Sequence, residues 1–275
     1  MRGKRNVRSK RRKRRTRIGA TRRTRFARIR NSATPKVSVI IPVVNERKTI
    51  ARVIRNAARV HPETEVIVVA NGSTDGTKQL AERMGAKVIH YSEPLGHDVG
   101  RSIGASVAKG DILLFTDGDL VIPTSELRPF VQAVEGGVDV ALNRYTGPTD
   151  KPRVHNVVLA KYALNAALHR SDLRGASMTA VPHAISRNAL KRIGPEHLAV
   201  PPKAHAIAIV GGLNVQPVHY VDVGRLNPKR RRNQGADPLE RLIVGDHLEA
   251  LHWFALATDP RGRHTDLSRL REIVR

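Results

Sequence analysis

From Val37 onward the chain alternates short β-branched runs with stretches of helical spacing, and each run ends in a polar loop. Val37-Ser38-Val39-Ile40-Ile41-Pro42, Glu65-Val66-Ile67-Val68-Val69-Ala70, Lys87-Val88-Ile89-His90-Tyr91 and the run opened by Asp111 are too short for helices and read as strands. Between them, Ile50, Val53, Ile54 and Ala57 recur at helical spacing over residues 49–60. A turn at 71–77 leads into a helix that Gly85 stops, and small residues fill a third helix at 100–108. Strands alternating with helices predict an α/β fold: a mostly parallel, Rossmann-like sheet with helices on both faces. Ligands of such sheets bind beyond the carboxyl ends of the strands. Four polar loops fall there, at residues 42–47, 70–75, 94–101 and 117–119.

The last of these loops is Asp117-Gly118-Asp119, at the exit of the apolar run Ile112-Leu113-Leu114-Phe115. Two carboxylates one residue apart offer the oxygen ligands that a hard divalent cation shares with a phosphate. Downstream the pattern loosens. Residues 138–142 read as a strand, 154–169 as an amphipathic helix, and 189–193 as a short helix ended by Gly194. Residues 214–221 suit an edge or antiparallel strand. Residues 224–238, with Arg225, Lys229, Arg230, Arg231 and Arg232 among Asn, Gly and Pro, read as a mobile basic loop. Pro238 then opens a helix through Trp253.

Charge separates the N-terminus from everything else. Sixteen of the 49 lysines and arginines, and no acid, lie in residues 1–30 of this 275-residue chain of net charge +25. With so little to bury, residues 1–34 are expected to be a disordered arm. Such an arm suits an anionic membrane surface or non-specific contact with nucleic acid. With Phe26 its only aromatic residue, it is poorly equipped for sequence-specific nucleic-acid readout. The chain has no cysteine, which excludes disulfides and cysteine-held metal. No apolar h-region follows the basic start and no run of about 18 apolar residues occurs, so a cytoplasmic location, peripheral at the inner membrane face, is expected.

The four loops taken together resemble the nucleotide-binding half of the GT-A fold family-2 glycosyltransferases. The matching pieces are Ile41-Pro42-Val43-Val44-Asn45-Glu46, Gly72-Ser73-Thr74-Asp75-Gly76-Thr77, Gly100-Arg101 and Asp117-Gly118-Asp119. The resemblance implies one GT-A domain over 35–275, with a nucleotide-sugar half (35–145) and an acceptor half (146–275). It also implies a nucleoside diphosphate sugar donor, with UDP as the nucleotide, an acceptor hydroxyl, and Mn2+ or Mg2+ as cofactor. Carried over residue by residue, Pro42, Val44 and Glu46 line the base and ribose. Asn71 stands where the family has an aspartate that accepts from uracil, and its amide keeps an acceptor oxygen. Arg101 matches the arginine beside the nucleotide, followed here by Ser102 in place of asparagine. Asp119 matches the direct metal ligand and Asp117 the residue reaching ribose or metal. By the same resemblance Asp98 contacts the donor sugar, His219 is a third metal ligand, and Arg230 with its loop covers the diphosphate.

The acceptor-activating carboxylate has no motif. Where the family often has a Glu-Asp pair, residues 193–205 offer only Glu196. Asp246 and Glu249, spaced i, i+3 on one helix, are the other candidates. Both inverting and retaining chemistry therefore stay open. The activity expected is a metal-dependent hexosyl transfer, with cell-envelope or polysaccharide synthesis as its setting. The alternative is a GT-A-like binding protein without catalysis, recruited to membrane or nucleic acid by its arm.

Overall fold

Strand β1 (Val37–Val43) shows how the core is built. Successive strand residues face opposite sides, and β1 sends Val37, Val39, Ile41 and Val43 into one apolar cluster and Ile40 into another. Strand β2 (Thr64–Asn71) does the same, with Val66, Val68 and Ala70 opposite Ile67 and Val69. The sheet is thus covered on both faces, by helices α1 (Ile50–Ala57), α2 (Thr77–Met84) and α4 (Thr124–Glu135) on one and α3 (Val99–Val107) on the other. The computed structural model describes residues 27–150, 152–226 and 238–274.

The remaining described elements are strands β3 (Lys87–Tyr91), β4 (Ile112–Phe115), β5 (Val140–Asn143), β6 (His183–Ser186) and β7 (Val215–His219), and helices α5 (Asn156–Ala167), α6 (Arg187–Ile193), α7 (Pro201–Val210), α8 (Val223–Leu226) and α9 (Pro238–Ala257). The seven-stranded sheet has the order β3-β2-β1-β4-β6-β5-β7. It is parallel except for β6, which runs against both its neighbours. From β1 the chain winds outward to β3, then returns to lay β4 on the other side of β1. The β1/β4 junction is therefore the topological switch point, where sheets of this kind open a ligand crevice. Helices α5, α7 and α9 share a third, smaller core of Leu164, Leu168, Ala206, Ala250 and Phe254.

Several expectations are redrawn. Residues 27–34 are not a free tail. Ile29 N–H donates to Met84 O (2.8 Å), Ser32 N–H to Thr64 O (3.0 Å), and Asn31 Oδ1 accepts from Val66 N (2.9 Å). Ile29 packs on the core, which gives this end of the arm an apolar anchor. Residues 1–26, and with them the membrane or nucleic-acid role expected of the arm, lie outside the described residues. Strand β7 is at the sheet edge, as expected, but pairs parallel with β5. Helix α4, strand β6 and helix α7 carried no recognisable signal. Of the basic loop, the described part up to Leu226 is helix α8; residues 227–237, including Arg230, lie outside the described residues. No helix among the described residues is long and apolar enough to cross a membrane.

Candidate active site

The loops after β1 and β2 are stitched to each other. Asn45, at φ 57°, accepts from Thr74 N (2.8 Å) and Asp75 N (3.2 Å) through Oδ1, and its own N–H donates to Ser73 Oγ (3.1 Å). Asp75 takes Arg47 N (3.1 Å) on one oxygen and Thr77 N (2.9 Å), at the start of α2, on the other. These residues hold shape and leave the outer face to Pro42, half-buried Glu46 and the exposed Val44. Thr49 Oγ1 donates to Glu46 Oε2 (3.4 Å) at the start of α1.

Asn71, buried at the end of β2, accepts from Leu95 N (2.5 Å) and donates to Gly96 O (3.0 Å). Its amide pins the 94–98 loop that leads to Asp98. Gly72 beside it is at φ 70° and pressed against Pro94, which leaves no room for a side chain.

Arg101 is the centre of the site. Gly100 and Gly104, one helical turn apart, let α3 lie directly on β1. A Cβ at Gly100 would stand 2.9 Å from Pro42 Cβ, and one at Gly104 would collide with Ile40. Arg101, on the same helix, is 4 % exposed. Its Nε is 3.1 Å from Asp98 Oδ1, its Nη2 3.4 Å from Asp117 Oδ1, and its Nη1 donates to Met178 O (3.4 Å). The Asp98 approach is an ion contact rather than an aligned hydrogen bond, since Nε has no hydrogen-bond partner. Burial raises the Asp98 carboxyl above its usual range while Arg101 and His97, 3.3 Å away, pull it back. Asp98 itself sits at φ 63°. Asp117, partly exposed, and half-buried Asp119 flank Gly118, where a Cβ would collide with Val43. Only glycine lets the two acids close over the end of β1.

Helix α9 reaches the same place from the acceptor half. Burial, then the charges of Asp98 and Glu249, pushes the Asp246 carboxyl up to about 6, with His97 opposing. Asp246 therefore lies within electrostatic reach of Asp98 and His97. The other base candidates are engaged elsewhere: Glu249 with Lys203 (3.0 Å), and the exposed Glu196 with His197 (3.6 Å). His219 is not brought to the aspartates. Its Nε2 lies 2.9 Å from Glu126 Oε2 of α4 and its ring meets Phe130 edge-on. Among the described residues no three His, Asp or Glu side chains converge on a metal position. Asp117 and Asp119 fit a cation that completes its shell with diphosphate oxygens, the usual arrangement for Mg2+.

The sequence had not singled out residues 174–182, the segment entering β6 that meets Arg101 through Met178 O, nor the buried His183 stacked on Phe115 (4.9 Å). A string of small residues carries no periodic signal.

Residues 38–193 match the family described as glycosyl transferase family 2. The chain belongs to that family. It is 36% identical over 118 residues to glycosyltransferase AglE of Haloferax volcanii, covering 40% of this chain and 39% of that protein. To dolichyl-phosphate hexose transferase of the same organism it is 28% identical over 141 residues, 48% of this chain and 61% of the relative. The chain thus spans less than two thirds of the length of these relatives. Glucosyl-3-phosphoglycerate synthase of Mycobacterium tuberculosis, solved with Mn2+, UDP and phosphoglyceric acid, superposes with a TM-score of 0.57 at 22% identity, over 80% of this chain and 79% of that one. That likeness establishes a shared GT-A-like fold.

Proposed function

We propose that this family-2 chain is a glycosyltransferase that moves a sugar from a nucleoside diphosphate donor, with UDP as the nucleotide, to an acceptor hydroxyl. The observation that carries the reading is the buried Arg101, held between Asp98 and Asp117 at the switch point of the sheet. A buried guanidinium between two carboxylates is a costly arrangement, and it stands where a donor would lie. The structural neighbour solved with Mn2+ and UDP supports the choice of nucleotide and of a divalent metal. Asp119 and Asp117 would hold Mn2+ or Mg2+, which when bound offsets charge on the departing diphosphate. Pro42, Val44 and Glu46 flank the nucleotide, and Arg101 orients Asp117.

Asp246 is the acceptor-activating base in this reading. A carboxylate with a pKa raised to about 6 is ionised at neutral pH yet basic enough to take a hydroxyl proton as the bond forms. Glu249 and Glu196 keep structural roles. The test is turnover of UDP-sugars with Mn2+, scored as released UDP and identified product. Asp246→Asn should lose transfer while retaining UDP binding. Nucleotide binding without any turnover across donors and acceptors would instead favour a binding protein.

A further inference from the structure

Helix α9 carries an apolar stripe that the other described elements leave uncovered. Its inner face is buried on α5 and α7 through His247, Ala250 and Phe254. Gly245 lies nine residues, about two and a half turns, before Phe254 and so points directly away from that core. With Gly245, the outward stripe reads Leu242, Leu248, His252 and Leu256, at steps of three or four residues. The three leucines are 44 %, 62 % and 75 % exposed. Single exposed leucines are ordinary on a protein surface, but a row of them along one helix face marks a contact surface. Gly245 is a second anomaly. Glycine is the poorest helix former after proline, and here it occupies the middle of a 20-residue helix with no left-handed backbone to require it. A Cβ added there would meet nothing within 4 Å. No neighbour among the described residues therefore accounts for the missing side chain. A helix arriving from outside would, since glycine lets two backbones approach closely.

The sequence around Gly245 specifies the arriving helix. Leu242 and Leu248 stand three residues before and after it, and the exposed Arg241 and Glu249 four before and after. Turned end for end about Gly245, the helix therefore answers leucine with leucine and arginine with glutamate. A second α9 crossing antiparallel at this point, related by a two-fold axis, brings Leu242 of each copy level with Leu248 of the other, and Arg241 level with Glu249. Such an isologous contact uses the same patch on both copies. Glu249 holds Lys203 through Oε1 (3.0 Å) and remains 48 % exposed, so a guanidinium can join it at the other oxygen. In a parallel pair, by contrast, arginine would face arginine and glutamate would face glutamate. We propose that the protein forms a two-fold dimer through antiparallel packing of α9, with Gly245 at the crossing point. The dimer stands independently of the transferase reading. Two helices alone bury less than a standard interface, so association is a concentration-dependent equilibrium with a Kd of about 1–100 μM.

Sedimentation equilibrium of the full chain over about 1–300 μM, in about 0.3 M salt to screen its net positive charge, tests the proposal. The mass should climb with concentration from that of one chain to that of two. Gly245→Gln, which blocks the close approach, and Leu248→Glu should each weaken the dimer about tenfold or more. Gly245→Gln should also leave the melting temperature of dilute protein level or higher, because glutamine is the better helix former and its Cβ meets no neighbour. The register is read by charge exchange. Arg241→Glu and Glu249→Arg should each weaken association about tenfold, two like-charge contacts replacing two opposite ones. The double exchange R241E/E249R should restore it, with circular dichroism confirming that each variant is folded. A single-chain mass at every concentration, or a dimer indifferent to Gly245→Gln and Leu248→Glu, would overturn the proposal. A double exchange as weak as the two single changes combined would overturn the antiparallel register. If the chain stays monomeric and Leu248→Glu instead lowers its binding to phosphatidylglycerol–phosphatidylcholine vesicles, the stripe serves a lipid surface and the dimer is refuted.

Discussion

Replacing Lys161 by methionine should stabilise the protein at neutral pH. Lys161 lies on α5 facing α7 and α9, 5 % exposed, and burial alone pushes its pKa from 10.5 down to about 8. Its charge reaches His205 and His247, which burial keeps neutral and which offer it no counter-charge. At 1.36 kcal/mol per pKa unit, holding the ammonium there costs about 3 kcal/mol. The lost methylene and amine packing returns about 1 kcal/mol of that, so Lys161→Met should gain about 2 kcal/mol at pH 7. The sign has a characteristic pH signature. Below pH 8 both states are protonated and the native state carries the full cost. From pH 8 to 10.5 the unfolded chain keeps a proton the native state has shed, so native stability rises with pH and the advantage of the mutant shrinks. Urea unfolding at pH 7 and pH 9.5 reads both effects. A destabilised mutant, or a gain identical at the two pH values, would refute this account of α5.

Acid should loosen the fold from the opposite side. His183 and His205 have pKa values pushed down to about 3 by burial, against 6.5 when exposed, so stability present above pH 6.5 is lost progressively as pH falls towards 3. At pH 5 the loss is about 2 kcal/mol per histidine, measurable as a drop in urea midpoint. Gly104→Ala should cost about 1–3 kcal/mol, because the new methyl meets Ile40, and should weaken nucleotide binding as α3 lifts from β1; unchanged unfolding and binding curves would count against the close contact. The transfer rate should rise as pH passes through about 6, where Asp246 ionises, and whatever residual rate Asp246→Asn keeps should lack that limb of the profile.

The donor half was legible because each strand is bracketed by turn residues and delivers its polar loop to one sheet edge. Asp117, Asp98 and Arg101 meet as that alternation implies. The expectation of His219 beside the aspartates came from the family resemblance. Its observed partner, Glu126, belongs to α4, a helix with an internal proline at 129 that gave no clean periodicity. Helix α7 opens with Pro201-Pro202, which reads as a break although proline is tolerated in a first turn. Its apolar residues face two cores on opposite sides, so it lacks an amphipathic signal. Strand β6 has four residues, and its antiparallel placement between β4 and β5 follows from long-range pairing. The 174–182 segment was missed for a related reason: what it brings to Arg101 is the Met178 carbonyl, which follows from backbone position. Asn71 was read for its amide, but its visible task is to hold Leu95 and Gly96.

The central claim is that Asp117 and Asp119, with Arg101 behind them, form the metal end of a nucleoside diphosphate site. Calorimetric titration of UDP into the full chain, with and without Mn2+, tests it most directly when repeated on Asp119→Ala. The account predicts metal-dependent binding that the substitution weakens by tenfold or more, a factor equal to about 1.4 kcal/mol. Equal UDP affinity with and without Mn2+, or an Asp119→Ala variant that binds UDP–Mn2+ as tightly as the parent, would contradict it.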